Sequence, residues 1–70
     1  MTAVILNGEA RQLPAEATLE LAVRAAGAPE DGRGVAVALD GEVVPRAAWS
    51  TTRLGDGQQV EVLQAVQGGR

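Results

Sequence analysis

The 70-residue chain contains no cysteine, histidine, lysine, tyrosine or phenylalanine. Without cysteine, neither a disulfide nor a thiolate metal site can form. Without histidine, lysine and tyrosine, the chain lacks the common general base, the Schiff-base amine and the phenol. The one serine and the four threonines therefore have no partner to activate them, and the carboxylates form no recognisable acid–base pair. These absences indicate that the chain is not an enzyme by itself and holds neither a metal nor another bound cofactor.

One small hydrophobic core has to stabilise the chain, since 70 residues leave room for a single domain. The net charge is −3, and all six basic residues are arginines. A mildly acidic chain without a basic patch is a poor nucleic-acid binder. No apolar run approaches the roughly 20 residues that cross a membrane, and nothing resembles a signal peptide. We therefore expect a cytoplasmic protein that binds neither nucleic acid nor membrane.

Two turn sequences predict two β-hairpins. Asn7-Gly8 follows a short apolar run, and Asp40-Gly41 follows the alternating segment 35–39. Both pairs tolerate positive φ at the two central positions, which suits the tight turns that join antiparallel strands. In the alternating segment, the large residues are expected to face the core and the alanines to face outwards.

One amphipathic helix is predicted between the two hairpins. Four apolar residues recur at helical spacing on one face: Leu19, Ala22, Val23 and Ala26. We expect the Thr18 hydroxyl to cap the first turn and the helix to end at Ala26, before Gly27. The helix is thus short but long enough to cover part of a sheet.

The order of elements predicts an α+β fold. Two strands, the helix and three further strands follow one another, and the last strand spans 59–66. Val60 and Val62 are expected to face the core, and Leu63 the opposite side. One helix must cover one face of one sheet, since nothing else is long enough to do so. If the last strand pairs with the first inside the sheet, a rigid frame fixes the start of the segment that follows.

That last segment ends in two consecutive glycines, Gly68 and Gly69, before Arg70. We interpret residues 1–66 as the domain and 67–70 as a flexible tail. Glycine has no Cβ, so such a tail can pass through a narrow slot and deliver a terminal carboxylate to another protein's active site. The competing interpretation is an ordinary frayed terminus.

Three pieces of sequence resemble a known family: Leu6-Asn7-Gly8-Glu9, VAVALDGEVVPRAAW at 35–49 and DGQQVEVLQAVQGG at 56–69. Over essentially the whole chain they are similar to ThiS, the sulfur carrier family of thiamine biosynthesis. The middle piece is the most specific, because many ubiquitin-like carriers end in Gly-Gly but few share Val-Pro-Arg followed by Trp. The resemblance implies a ubiquitin-like β-grasp fold, with a mixed sheet of four to five strands covered on one face by one helix.

The resemblance also implies that the chain is a protein substrate. The Gly69 carboxylate would be adenylated by a ThiF-like partner, similar to the ubiquitin-activating enzymes, that uses ATP and Mg. Sulfur from a persulfide would then leave a thiocarboxylate, from which a ThiG-like thiazole synthase takes the sulfur. Gly68 and Gln67 would be the thin spacer. Arg70 departs from the family pattern, because a Gly69 carbonyl in a peptide bond cannot be adenylated. Three explanations of Arg70 are open: it is trimmed in the cell, it was added during cloning, or the chain is not active as written.

Four residues are candidates for binding a partner: Leu63, Ala65, Val66 and Arg46. Leu63 is expected to form a small apolar patch with neighbouring alanines, and such patches often mark interaction sites. Segment 46–54 is interpreted as irregular, with Trp49 either buried beneath it or exposed as a docking anchor. Two kinds of function remain as alternatives. One is another sulfur carrier, as in molybdopterin synthase, tRNA thiolation or cysteine synthesis. The other is a non-conjugating β-grasp interaction module.

Overall fold

A computed structural model describes residues 1–28 and 33–64 of the chain. The elements follow the predicted order, with one addition, a 3₁₀ helix. They are β1 (Thr2–Leu6), β2 (Glu9–Leu13), α1 (Leu19–Ala25), β3 (Val35–Leu39), β4 (Glu42–Val43), the 3₁₀ helix (Arg46–Thr51) and β5 (Gln59–Gln64). None of the helices in these residues is long and apolar enough to cross a membrane.

The five strands form one mixed sheet in the order β2-β1-β5-β3-β4. The last strand, β5, lies in the centre, parallel to β1 and antiparallel to β3. The two hairpins form the two sides of the sheet, so β2 and β4 are its edges. The prediction that the last strand pairs with the first inside the sheet is confirmed.

Both hairpin turns have the predicted conformation. Asn7 and Gly8 have φ values of 50° and 83°, and Asp40 and Gly41 have values of 49° and 87°. Two positive φ angles in succession give a turn whose twist matches that of the flanking strands. The strand residues on either side of each turn pair directly, so both turns contain two residues.

The prediction that the Thr18 hydroxyl caps the first turn of α1 is wrong. Thr18 makes no side-chain capping hydrogen bond. Its backbone is extended and forms an isolated bridge with Arg53, and the Leu19 N–H donates to the Thr52 carbonyl at 2.8 Å. A neighbouring segment therefore satisfies one of the backbone N–H groups that the first turn of a helix leaves free. The helix ends at Ala25, one residue earlier than predicted.

The interpretation of segment 46–54 as irregular is also incorrect, because the 3₁₀ helix occupies most of it. That helix carries Trp49 into the core, where the side chain is only 5% exposed. The indole Nε1–H donates to the Val44 carbonyl at 2.9 Å, so the polar atom of the ring is satisfied. Trp49 is thus a buried core residue and not an exposed docking anchor.

The core lies between the sheet and α1. Its most deeply buried large side chains come from the helix and three strands: Leu19, Val4, Val37 and Val60. As predicted, the large residues of β3 face this core, whereas Ala36 is exposed on the other side. The second face of the sheet carries no helix within the described residues, and it is called the open face below.

Candidate functional site

The candidate site begins where the central strand ends. On one side β5 pairs with β3 as far as Gln64, opposite Val35. On the other side its pairing with β1 ends at Val60, opposite Leu6. The last residues of β5 are therefore paired with β3 but not with β1.

The predicted tail and two of the candidate docking residues lie outside the described residues. These positions are Ala65, Val66, Gln67, Gly68, Gly69 and Arg70. Their proposed roles remain predictions. The described part of the chain places the strand that leads to them.

The side chain of Asn7 supports the weaker side of β5. The Val62 N–H donates to Asn7 Oδ1 at 2.8 Å, and Asn7 Nδ2 donates to the Val62 carbonyl at 3.3 Å. We call these two bonds the Asn7 clamp. The Asn7 N–H also donates to the Val60 carbonyl at 2.9 Å. The sequence pattern marks Asn7 as a turn residue only, and nothing local in it points to a strand partner 55 positions away.

Asp40 fixes the beginning of β5 in a similar way. The Gln59 N–H donates to Asp40 Oδ1, and Gln58 Nε2 donates to Asp40 Oδ2, each at 2.9 Å. The backbone bond from Gln59, with the side-chain bond from Gln58 in second place, lowers the pKa of the Asp40 carboxyl below its ordinary value of 3.8. Side chains of both hairpin turns are therefore bonded to the central strand, at Gln59 and at Val62.

The open face carries a small apolar patch beside the end of β5. Leu63 is 69% exposed there, as predicted, and Val43 is 77% exposed. With Ala36 and Ala38 they line one shallow hollow next to Glu61. We call the four apolar residues the open-face patch. Exposed apolar side chains that group together on one face are typical of interaction sites.

Val43 is absent from the residues singled out in the sequence, although a signal for it exists. A two-residue turn at Asp40-Gly41 pairs Ala38 with Val43, and directly opposed residues share a face of the sheet. Since Ala38 is expected to face outwards, Val43 must do so as well.

Arg46 lies in a different place from the open-face patch. It begins the 3₁₀ helix and lines a groove between that helix and α1, together with Glu20, Arg24 and Ser50. The groove has a volume of about 470 Å³. The structure therefore does not bring Arg46 and Leu63 together into one surface.

No group of three or more acidic side chains that could hold a metal ion occurs in residues 1–28 and 33–64. The described residues offer an exposed apolar patch and a central strand whose backbone is held in place. Such a site can present a strand end to a partner.

A mixed five-stranded sheet with the last strand at its centre and one helix across one face defines a ubiquitin-like β-grasp protein. The model of the ThiS family matches residues 4–69, and the chain belongs to this family. ThiS proteins are small carriers and not enzymes, which agrees with the missing catalytic side chains.

Two relatives extend this result. The crystal structure of the thiamine biosynthesis protein ThiS from Geobacter metallireducens is 30% identical, with a TM-score of 0.74, and the match covers 97% of this chain and 100% of that chain. A thiazole synthase from Paramagnetospirillum magneticum is 32% identical over 66 residues. Those residues are 94% of this chain but 20% of the relative, so the chain spans about a fifth of that protein.

Proposed function

We propose that this chain is a sulfur carrier for thiazole formation in thiamine biosynthesis and that Gly69 carries the sulfur. The observation that carries the proposal is the central position of β5, which leads directly towards the glycine pair. Pairing with β3 as far as Gln64, together with the Asn7 clamp at Val62, gives the tail a fixed starting point. Membership of the ThiS family supports the same role.

The proposed chemistry needs a partner because a free carboxylate is a poor electrophile. A ThiF-like adenylyltransferase would join the Gly69 carboxylate to AMP, using ATP and Mg, and release pyrophosphate. Sulfur from a persulfide donor would then displace AMP and leave a thiocarboxylate, which is a competent sulfur nucleophile. The chain supplies the glycines, with Gln67 and Gly68 as spacer, and the partner supplies the catalytic groups. Because activation consumes ATP, we propose a cytoplasmic location.

The proposed acceptor of the sulfur is a ThiG-like thiazole synthase. A protein named thiazole synthase contains a segment similar to nearly all of this chain, within a fifth of its own length. In that relative, a carrier-like domain and a larger remainder belong to one polypeptide. This arrangement supports a functional pairing between the two kinds of domain.

We propose the open-face patch as the docking surface for the adenylyltransferase. Leu63 lies one residue before the end of β5, so a partner that contacts it is close to the start of the tail. Ala65 and Val66 follow directly in sequence and are proposed to extend this contact. Arg46 is proposed as a separate contact, from the groove beside α1.

Activation of Gly69 requires that its peptide bond to Arg70 be absent. A direct test is ATP–pyrophosphate exchange with a ThiF-like enzyme and three forms of the chain, which end at Arg70, Gly69 and Gly68. Only the form that ends at Gly69 is expected to support exchange above the enzyme's background. Equal exchange with all three forms would show that the glycine pair is not the activated group.

A further inference from the structure

The parallel pairing between β1 and β5 stops before β5 ends. The Ile5 N–H donates to the Gln58 carbonyl, and the Asn7 N–H to the Val60 carbonyl, each at 2.9 Å. The next groups of β5 on this side belong to Val62, and β1 has already turned away at Asn7-Gly8. The Asn7 clamp supplies both missing partners, so one side chain adds a further step to the ladder.

Few residue types can meet both demands that this position makes. The turn requires a φ of 50°, which asparagine, aspartate and glycine tolerate far better than other residues. The clamp requires one acceptor for the Val62 N–H and one donor for the Val62 carbonyl. Of the three residues, only asparagine carries both groups, because ionised aspartate only accepts and glycine has no side chain.

We propose that Asn7 is a positioning residue for activation of the C-terminus, an inference that rests on the proposed function. Gly69 lies seven positions after Val62. Without the clamp, the last residues of β5 are paired with β3 alone, and the strand end can pivot about that one edge. The open-face patch is untouched, so the partner still binds the chain. The strand end that precedes the tail is, however, less firmly fixed, and misplacement of the reacting group by about 1 Å is enough to cost up to a hundredfold in rate.

The test compares Asn7→Asp and Asn7→Gly with the parent chain, each ending at Gly69. Both substitutions preserve the positive φ of the turn. Leu13→Val serves as the control, because it removes a methylene from the core and lowers stability from edge strand β2, which pairs with β1 and not with β5. Amide hydrogen exchange at Val62, relative to the amides of β3, shows whether the clamp has been lost. Steady-state adenylation kinetics with a ThiF-like enzyme show whether the loss matters.

We expect the Val62 amide to exchange at least about tenfold faster in Asn7→Gly. For both Asn7 variants the kcat of adenylation should fall about ten- to a hundredfold, with KM changed less than about twofold. Leu13→Val should keep the parental kcat. If the parent is adenylated and the Asn7 variants match Leu13→Val, the inference fails while the proposed function stands. If the parent itself is not adenylated by enzymes that activate other ThiS proteins, both fail.

Discussion

Asp40 combines two roles at the junction between the second hairpin and β5. Its φ of 49° forms the turn, and its carboxylate accepts hydrogen bonds from the Gln59 backbone and the Gln58 side chain. Asn7 combines a turn conformation with side-chain bonds to Val62 of the same strand. Two turn residues, 33 positions apart in sequence, thus fix the central strand.

The lowered pKa of Asp40 predicts a small pH dependence of stability. Both hydrogen bonds favour the ionised carboxylate, so the folded pKa lies below the unfolded value near 3.8. The resulting stabilisation is fully present above the unfolded pKa and is lost as the pH falls through the folded pKa. An NMR titration of the carboxyl carbon should give a midpoint below 3.8. In Asp40→Asn, the loss of stability relative to the parent should shrink at acid pH. A midpoint at or above 3.8 would contradict these contacts.

At the scale of elements, the hairpins and the facing of the strands were predictable because local chemistry determines them. Asn-Gly and Asp-Gly select a two-residue turn, and the turn sets the register of the strands it joins. Alternation then assigns each residue to a face, which correctly placed Val60, Val62 and Leu63. The ThiS-like pieces of sequence predicted the β-grasp fold for the same chain, and the fold is confirmed.

The features that sequence patterns did not predict depend on partners distant in sequence or on very short elements. The Leu19 N–H at the start of α1 donates to the carbonyl of Thr52, 33 residues further along the chain. A local pattern cannot show such a distant acceptor, and it suggested a cap at Thr18 instead. The 3₁₀ helix has six residues, too few for a helical repeat of apolar residues to stand out. The Asn7 clamp spans 55 positions and leaves no trace in periodicity.

The open-face patch gives a prediction about the proposed docking surface. Leu63→Arg should raise the KM for adenylation by about tenfold or more, since it puts a charge into an apolar contact. The fold should remain intact, because changes at exposed positions usually alter stability by less than about 0.5 kcal/mol.

Gln12→Arg is the matched control for Leu63→Arg. Gln12 is exposed on strand β2, next in sequence to the buried Leu13, so it lies on the same open face at the far edge of the sheet. Gln12→Arg should leave the KM for adenylation unchanged. Equal KM values for the two variants would eliminate the patch as the docking surface.

The 3₁₀ helix gives a prediction about packing. Trp49→Phe removes the hydrogen bond to the Val44 carbonyl and leaves space beside the smaller ring. We expect a loss of about 1–3 kcal/mol in the free energy of unfolding. For a domain of this size, each kcal/mol lowers Tm by about 4–8 °C. Thr51→Ala, which removes an exposed hydrogen bond on the same helix, should have a much smaller effect. Equal Tm values for the two variants in thermal denaturation would contradict the assigned role of the indole.

At the scale of the whole molecule, the two faces and the end of the sheet have separate tasks. One face packs against α1 and the 3₁₀ helix and supplies the stability that a chain of 70 residues needs from one core. The open face offers a small apolar patch, and the central strand leads to the glycines. In this account the partner enzyme binds the folded domain, and the chemistry takes place at Gly69 in the active site of that partner.

The most direct test of that account is the intact mass of the protein isolated from cells that are actively making thiamine. We predict a form that ends at Gly69 in which one oxygen is replaced by sulfur, with fragmentation placing the change at the C-terminal residue. If all of the isolated protein is full-length chain that retains Arg70, and no sulfur-containing form is found under these conditions, the assignment of this protein as a sulfur carrier is contradicted.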